Sequence, residues 1–212
     1  ETVGVKDVQT KSFYGNPRVE IPKKINSETS KDLVVLGGSG RNAVERMFIG
    51  SVTEACVSRV SNDVLIIKSE EEILNYRHIL IAVDGSEQAE QALVQAIELA
   101  NACGAQLTIA HVLEQSQKTQ DKYNSEAQKE KAMVHNYKQT AENKGVKAVQ
   151  ALLHFGNPRK ELPLKLTVQH NIDLLITGAT GRGAVERLFT GSVAHASLHH
   201  APCDVLIVRN VN

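Results

Sequence analysis

The chain has 212 residues, and its 24 basic and 24 acidic side chains give a formal net charge of zero. Balanced charge creates no long-range field to attract nucleic acid or an anionic membrane, so we expect neither as a partner. The apolar runs are too short to cross a bilayer and the N-terminus has no signal-peptide core. We therefore expect a cytoplasmic globular protein.

A long internal repeat is the strongest signal in the sequence. Residues 32–68 return as residues 173–209 at a constant offset of 141, and 18 of the 37 aligned positions are identical. Residues 77 to about 143 have no upstream counterpart. The repeat therefore predicts a partial domain over residues 1–72, which is a C-terminal half only, and a complete domain over residues 77–212. The acidic stretch from Ser69 to Asn75 is predicted to link them.

In chain order, the complete copy begins with a strand, a helix and a second strand. The apolar run from His78 to Val83 predicts a buried strand that ends at Asp84. Ser86 can cap the next helix, whose apolar residues recur at helical spacing until Gly104. Residues 107–112 predict the second strand.

The rest of the copy continues this alternation. The patterns predict a helix over about residues 125–144, strands over 146–154, 173–177 and 205–209, and helices that begin at Asn157 and Ser192. Pro163, and Pro22 in the first copy, are expected to shorten or kink their helices. The predicted fold is α/β, with an open five-stranded parallel sheet covered by helices on both faces. Ligands of such sheets bind beyond the carboxyl ends of the strands.

A glycine-rich segment after the fourth strand predicts an anion site. Glycines allow backbone N–H groups to approach a phosphate without an obstructing Cβ, and a helix start adds its free N–H groups. Arg182 in the same loop offers a positive charge. Neither a Walker A motif nor a GxGxxG motif is present. The predicted anion-binding positions are Gly178, Gly181, Gly191, Ser192 and Val193.

This Gly-x2-Gly-x9-Gly-Ser pattern and the Val-Asp-Gly-Ser sequence after the first strand together resemble ATP-binding members of the universal stress protein (UspA-like) family. The resemblance spans residues 77–212 and implies a Rossmann-like domain that binds an adenine nucleotide. It implies that Asp84, beside Gly85 and Ser86, contacts the ribose or adenine and that Val112 frames the adenine. The implied ligand is ATP, or ADP or AMP, with or without Mg²⁺.

Several of these residues also have simpler structural interpretations. Asp84 can cap a helix or shape a turn, and glycines commonly serve turns alone. His195, His199 and His200 cluster in the sequence, but no facing carboxylate or cysteine pattern accompanies them, so surface or core roles are favoured over metal binding. The three cysteines have no metal spacing and are expected to act as small buried side chains.

We expect an ATP-binding stress-response protein with little or no catalysis, because no catalytic acid/base pair, acidic metal pair or triad is recognisable. The alternative is a dimeric interaction protein of the same fold that binds no nucleotide. The first copy keeps the phosphate-loop positions but lacks the strand-one aspartate, so alone it is not expected to bind a nucleotide. Its retained positions are Gly37, Gly40, Arg41, Gly50 and Ser51.

The fifth strands of the two copies, Val64 to Lys68 and Val205 to Arg209, are nearly identical. The resemblance implies antiparallel two-fold pairing of such strands, which predicts an intrachain pseudo-dimer and a homo-oligomer of chains. Without strands one and two, the fourth strand of the first copy should have an open edge. We expect an upstream segment of roughly 65 residues, or another chain, to cover that edge.

Overall fold

The computed structural model describes residues 7–28, 33–38, 49–69, 75–114, 120–181 and 191–209. These residues form one seven-stranded sheet with helices on both faces. The strands are β1 (Val34–Gly37), β2 (Val64–Ile67), β3 (His78–Ala82), β4 (Gln106–Leu113), β5 (Val149–Phe155), β6 (Leu174–Gly178) and β7 (Asp204–Val208). The helices are α1 (Pro17–Ser27), α2 (Ser51–Arg59), α3 (Glu87–Cys103), α4 (Gln120–Asn143), α5 (Pro158–Lys160), a π-helical turn (Glu161–Leu166), α6 (Thr167–Gln169) and α7 (Ser192–His200).

The strand order is β1-β2-β7-β6-β3-β4-β5. The last five strands belong to residues 77–212 and are all mutually parallel, which confirms the predicted α/β fold of the complete copy. The order reverses between β3 and β6, because β3 continues along the chain to β4 on one side and pairs with β6 on the other. A crevice at the carboxyl ends of the strands is expected at this point.

The first helix of the complete copy, α3, begins and ends where the sequence predicts. Ser86 caps α3, and its side chain accepts a hydrogen bond from the N–H of Ala89. The helix ends at Gly104, whose φ of 65° lies in the left-handed region that glycine adopts at low cost. The buried alanine and leucine face of α3 packs on the side of the sheet that also receives α4.

The structure refines the sequence prediction at four places. β5 begins at Val149 rather than at residue 146, because its register is determined by pairing with β4 from Leu107 onward. At Pro163, which was expected to shorten or kink its helix, the helix widens into the π-helical turn, and this accommodates the missing N–H. Pro22 lies inside α1, which continues to Ser27. Residues 7–14, which align with β5, form no strand and are exposed.

The two copies join through an antiparallel ladder, as predicted. Val64 pairs with Ile207 and Ile66 with Val205, so β2 and β7 are adjacent in the sheet and run in opposite directions. Equivalent hydrogen bonds flank this ladder in the two copies. Lys68 N–H donates to Asp204 Oδ1 at 2.8 Å, and the equivalent Arg209 N–H donates to Asp63 Oδ1 at 2.6 Å. Such reciprocal bonds are the signature of a two-fold relation.

This junction buries charge. Burial raises the pKa of Asp63, although the N–H and the charge of Arg209 oppose that effect. Burial lowers the pKa of Lys68 to about 8, although Cys203 and Asp204 oppose it. Asp204 is only 1% exposed, and it accepts hydrogen bonds from Ser69 and Tyr76 as well as Lys68. The carboxylates are therefore compensated, as buried charges must be.

On the far side of β2, β1 pairs only with β2 among the described residues. The predicted open edge of the first copy is thus present, and what covers it stays a prediction. Residues 70–74 of the predicted linker lie outside the described residues. No helix within the described part of the chain has both the length and the apolar character needed to cross a membrane.

Candidate nucleotide-binding cleft

A cleft opens at the carboxyl ends of β4, β3 and β6, where the strand order reverses. Its volume is about 370 Å³, within the range of small-molecule sites. The described lining residues are Ala82, Val83, Asp84, Ala89, His111, Val112, Pro158, Leu162, Thr177, Gly178, Thr180, Gly181, Gly191, Ser192, Val193 and Ala194.

Most of the predicted site residues meet in this cleft. The ones that line it are Asp84, Val112, Gly178, Gly181, Gly191, Ser192 and Val193. Gly85 and Ser86 do not line it; instead they shape the turn after β3, in which Gly85 has a φ of 74°. Arg182 lies outside the described residues, as do Gly40 and Arg41 of the first copy.

Asp84 is held by the turn that follows it. Its Oδ1 accepts a hydrogen bond from Ser86 N–H at 3.0 Å and another from Ser86 Oγ at 2.6 Å. The helix-capping Ser86 therefore also orients the carboxylate. The second oxygen, Oδ2, points toward Gly181, where an added Cβ would lie 2.5 Å away. Glycine at position 181 thus allows the loop after β6 to approach the carboxylate.

The other two glycines are constrained by the backbone. A Cβ at Gly191 would lie 3.0 Å from the carbonyl oxygen of Ala179, to which Gly191 N–H donates at 2.5 Å. A Cβ at Gly178 would lie 3.2 Å from Cβ of Gln88. Gly191 thus lets α7 lie close to the end of β6, and Gly178 lets α3 lie close to it, so close packing accounts for part of the glycine pattern before any ligand is considered.

The start of α7 forms the polar wall of the cleft. Gly191 is its N-cap, no side chain caps the helix, and Ser192, Val193 and Ala194 line the cleft at its first turn. The first N–H groups of a helix lack partners within the helix and carry the positive end of its dipole. This wall is therefore suited to an anion.

The opposite wall, at the end of β4, is largely apolar and holds a residue that the sequence analysis missed. Val112, Pro158 and Leu162 line it together with His111. His111 Nδ1 lies 2.7 Å from the carbonyl oxygen of Val83, and its Nε2 lies 3.5 Å from the buried Glu130. In the sequence, His111 is marked only by its place near the end of the strand predicted over residues 107–112. Its contact with Glu130 on α4 depends on tertiary packing.

The first copy repeats the loop contacts without the cleft. Gly50 N–H donates to the carbonyl of Gly38 at 2.8 Å, as Gly191 does to Ala179. Gly38 N–H in turn donates to Ile67 at 2.8 Å, as Ala179 does to Val208 at 2.7 Å. Among the described residues, however, nothing occupies the places that β3 and β4 take in the second copy.

The fold and the cleft define an α/β protein with a crevice at the reversal point of its parallel strands. The model of the universal stress protein family matches residues 1–68 and 75–209. The chain therefore belongs to the universal stress protein family, and each of its two copies corresponds to one of the matched segments.

Individual relatives agree with this assignment. A protein of Staphylococcus aureus (strain USA300), described as a putative universal stress protein, is 42% identical over 143 residues, covering 65% of this chain and 86% of that protein. The structure of the universal stress protein UspA from Lactobacillus plantarum matches with a TM-score of 0.59 and 27% identity, over 64% of this chain and 99% of that one. A universal stress protein from Archaeoglobus fulgidus DSM 4304 shares the fold over 93% of this chain and 67% of its own, with a TM-score of 0.67 and 23% identity.

Proposed function

We propose that the cleft binds an adenine nucleotide, with ATP as the leading ligand. The observation that carries this proposal is the order of chemical groups across the strand ends. An apolar wall at β4 comes first, the Asp84 carboxylate at β3 second, and the start of α7 beside β6 third. These three surfaces match, in order, a flat base, the hydroxyls of a ribose, and a chain of phosphates.

The dimensions of the sheet agree with this order. Neighbouring strands lie about 4.8 Å apart, so the ends of β4 and β6 are separated by roughly 10 Å with β3 between them. A ligand that reaches both walls must therefore be elongated, with an apolar end and an anionic end.

A buried hydroxyl also favours a polar ligand. Thr177 lies at the end of β6, lines the cleft and is 2% exposed. Its Oγ1 has no hydrogen-bond partner among the described residues. A buried polar atom without a partner is unfavourable by about 1–3 kcal/mol, which a ligand beside it can relieve.

We further propose that binding proceeds with little or no hydrolysis. Among the described residues of the lining, Asp84 is the only carboxylate, and one of its oxygens is already engaged by Ser86. A hydrolase would need a base or a positioned water together with groups that stabilise the transferred phosphoryl group. The same lining offers no acidic pair for Mg²⁺, so any Mg²⁺ would arrive with the phosphates.

The test is calorimetric titration of the purified chain with ATP, ADP, AMP and cAMP. We expect one site per chain, because within the described part of the chain only the second copy has all three surfaces. Asp84→Asn keeps the shape and the Ser86 contacts but removes the charge. It should weaken binding about 10- to 100-fold, the equivalent of one hydrogen bond to a charged group at about 1.5–3 kcal/mol.

The matched control is Glu87→Gln, which removes the same charge from an exposed residue that begins α3 three positions later and does not line the cleft. Its affinity should equal that of the unmodified chain. Equal affinities for the two variants would contradict the site. Absence of all binding would favour the interaction protein that binds no nucleotide. Gly191→Val is a poor test, because its Cβ meets the backbone of Ala179.

A further inference from the structure

Outside the cleft, three side chains with metal-binding groups converge between the two halves of the chain. His195 and His199 are one helical turn apart on α7, and their ring centroids are 4.4 Å apart. Glu54 reaches them from α2. One ligand atom from each residue lies within 4.8 Å of the other two. This carboxylate is the facing group that the sequence alone did not reveal.

The position of the cluster follows from the repeat. Glu54 and His195 are equivalent residues of the two copies, at the same offset of 141, and Ser58 is the equivalent of His199. Equivalent residues meet only close to a two-fold axis. Helices α2 and α7 also contribute to one apolar core, in which Cys56 and Val57 are clustered with Leu198. The three side chains therefore lie beside a buried apolar core that both helices share.

The three ligand groups favour zinc. Two imidazoles and one carboxylate form the ligand set of many zinc sites that keep an open position, and exposed Glu54 and His195 leave room for water there. Zinc bonds of about 2.0–2.2 Å place tetrahedral ligands roughly 3.4 Å apart. Separations of up to 4.8 Å thus require closure of up to about 1.4 Å, which rotation of the two exposed side chains can supply.

His199 is prepared for such a role. Its Nε2 is buried and has no hydrogen-bond partner among the described residues. Lys68 opposes a cation through its charge, but its ammonium group is engaged by the carbonyl of Ala201 at 2.8 Å.

We propose that Glu54, His195 and His199 bind a divalent cation of the zinc class across the junction of the two halves. The site is separate from the nucleotide cleft and does not depend on it. Because its ligands come from both copies, bound metal links α2 to α7 and stabilises the pseudo-dimer.

The test is titration of the full chain, first stripped with a chelator, with Zn²⁺ by calorimetry and with Co²⁺ by visible absorption. We expect one Zn²⁺ per chain with a Kd in the micromolar range or tighter, and Co²⁺ bands of a four- or five-coordinate site. Glu54→Gln, His195→Ala and His199→Ala should each weaken Zn²⁺ binding at least tenfold. Zn²⁺ should raise the Tm of the unmodified chain and not that of these variants.

The matched control is His200→Ala, which removes an exposed histidine from the same helix outside the cluster. It should leave both the affinity and the Co²⁺ spectrum unchanged. Glu54→Gln changes an exposed side chain, so this variant should keep its fold, and circular dichroism verifies that. Absence of Zn²⁺ binding, or equal affinity in Glu54→Gln and the unmodified chain, would overturn the proposal.

Discussion

Lys68 shows the conflict between burial and charge at the scale of one residue. Its ammonium group donates to the carbonyls of Ser197 and Ala201, yet burial lowers its pKa to about 8 from an ordinary value of 10.5. The folded state therefore binds this proton less tightly than the unfolded state. The resulting penalty is complete below about pH 8 and disappears as the pH rises toward 10.5.

We predict that replacing Lys68 with methionine removes this part of the pH dependence. Between pH 7 and 9.5, the free energy of unfolding of the unmodified chain should rise relative to that of Lys68→Met, as measured by urea denaturation at both pH values. Tyr76, whose pKa is raised by burial, is retained in both proteins and cancels in the comparison. Parallel pH profiles would contradict the prediction.

At the scale of elements, the β2–β7 ladder is the junction on which the first copy depends. Ile66 is fully buried in β2 and belongs to the core that includes Leu198 of the second copy. We expect Ile66→Ala to lower the free energy of unfolding by about 2–5 kcal/mol, because it leaves a cavity in that shared core. Urea denaturation should show the loss in one cooperative transition.

Val35→Ala in the edge strand β1 is the control, because Val35 is 56% exposed. It should change stability by no more than about 0.5 kcal/mol. A small effect of Ile66→Ala would mean that the two halves fold independently. Two separate unfolding transitions, of which only one is shifted by Ile66→Ala, would mean the same.

Elements whose signals are local could be predicted from the sequence. Ser86 and Asn157 cap their helices, and Gly104 ends α3, as their residue types indicate. The π-helical turn at Pro163 and the start of β5 could not be predicted, because a strand register and the widening of a helix depend on neighbours distant in the chain. His111 in the cleft was missed for the same reason.

At the scale of the whole molecule, the repeat predicts more than the individual motifs do. The antiparallel ladder and the reciprocal bonds of Asp63 and Asp204 follow from two copies related by a two-fold axis. The meeting of Glu54 with His195 was inherent in the repeat, but which helix faces point toward the axis is known only from the fold. That the cleft catalyses little or no hydrolysis stays a prediction.

The most direct test of the nucleotide proposal is hydrogen exchange of the full chain with and without saturating ATP. The first N–H groups of a helix are unprotected until a ligand accepts from them. The account predicts slower exchange at Ser192 to Ala194 and unchanged exchange at the equivalent Ser51 to Thr53 of the first copy. Unchanged exchange at Ser192 to Ala194, with ATP bound, would contradict it.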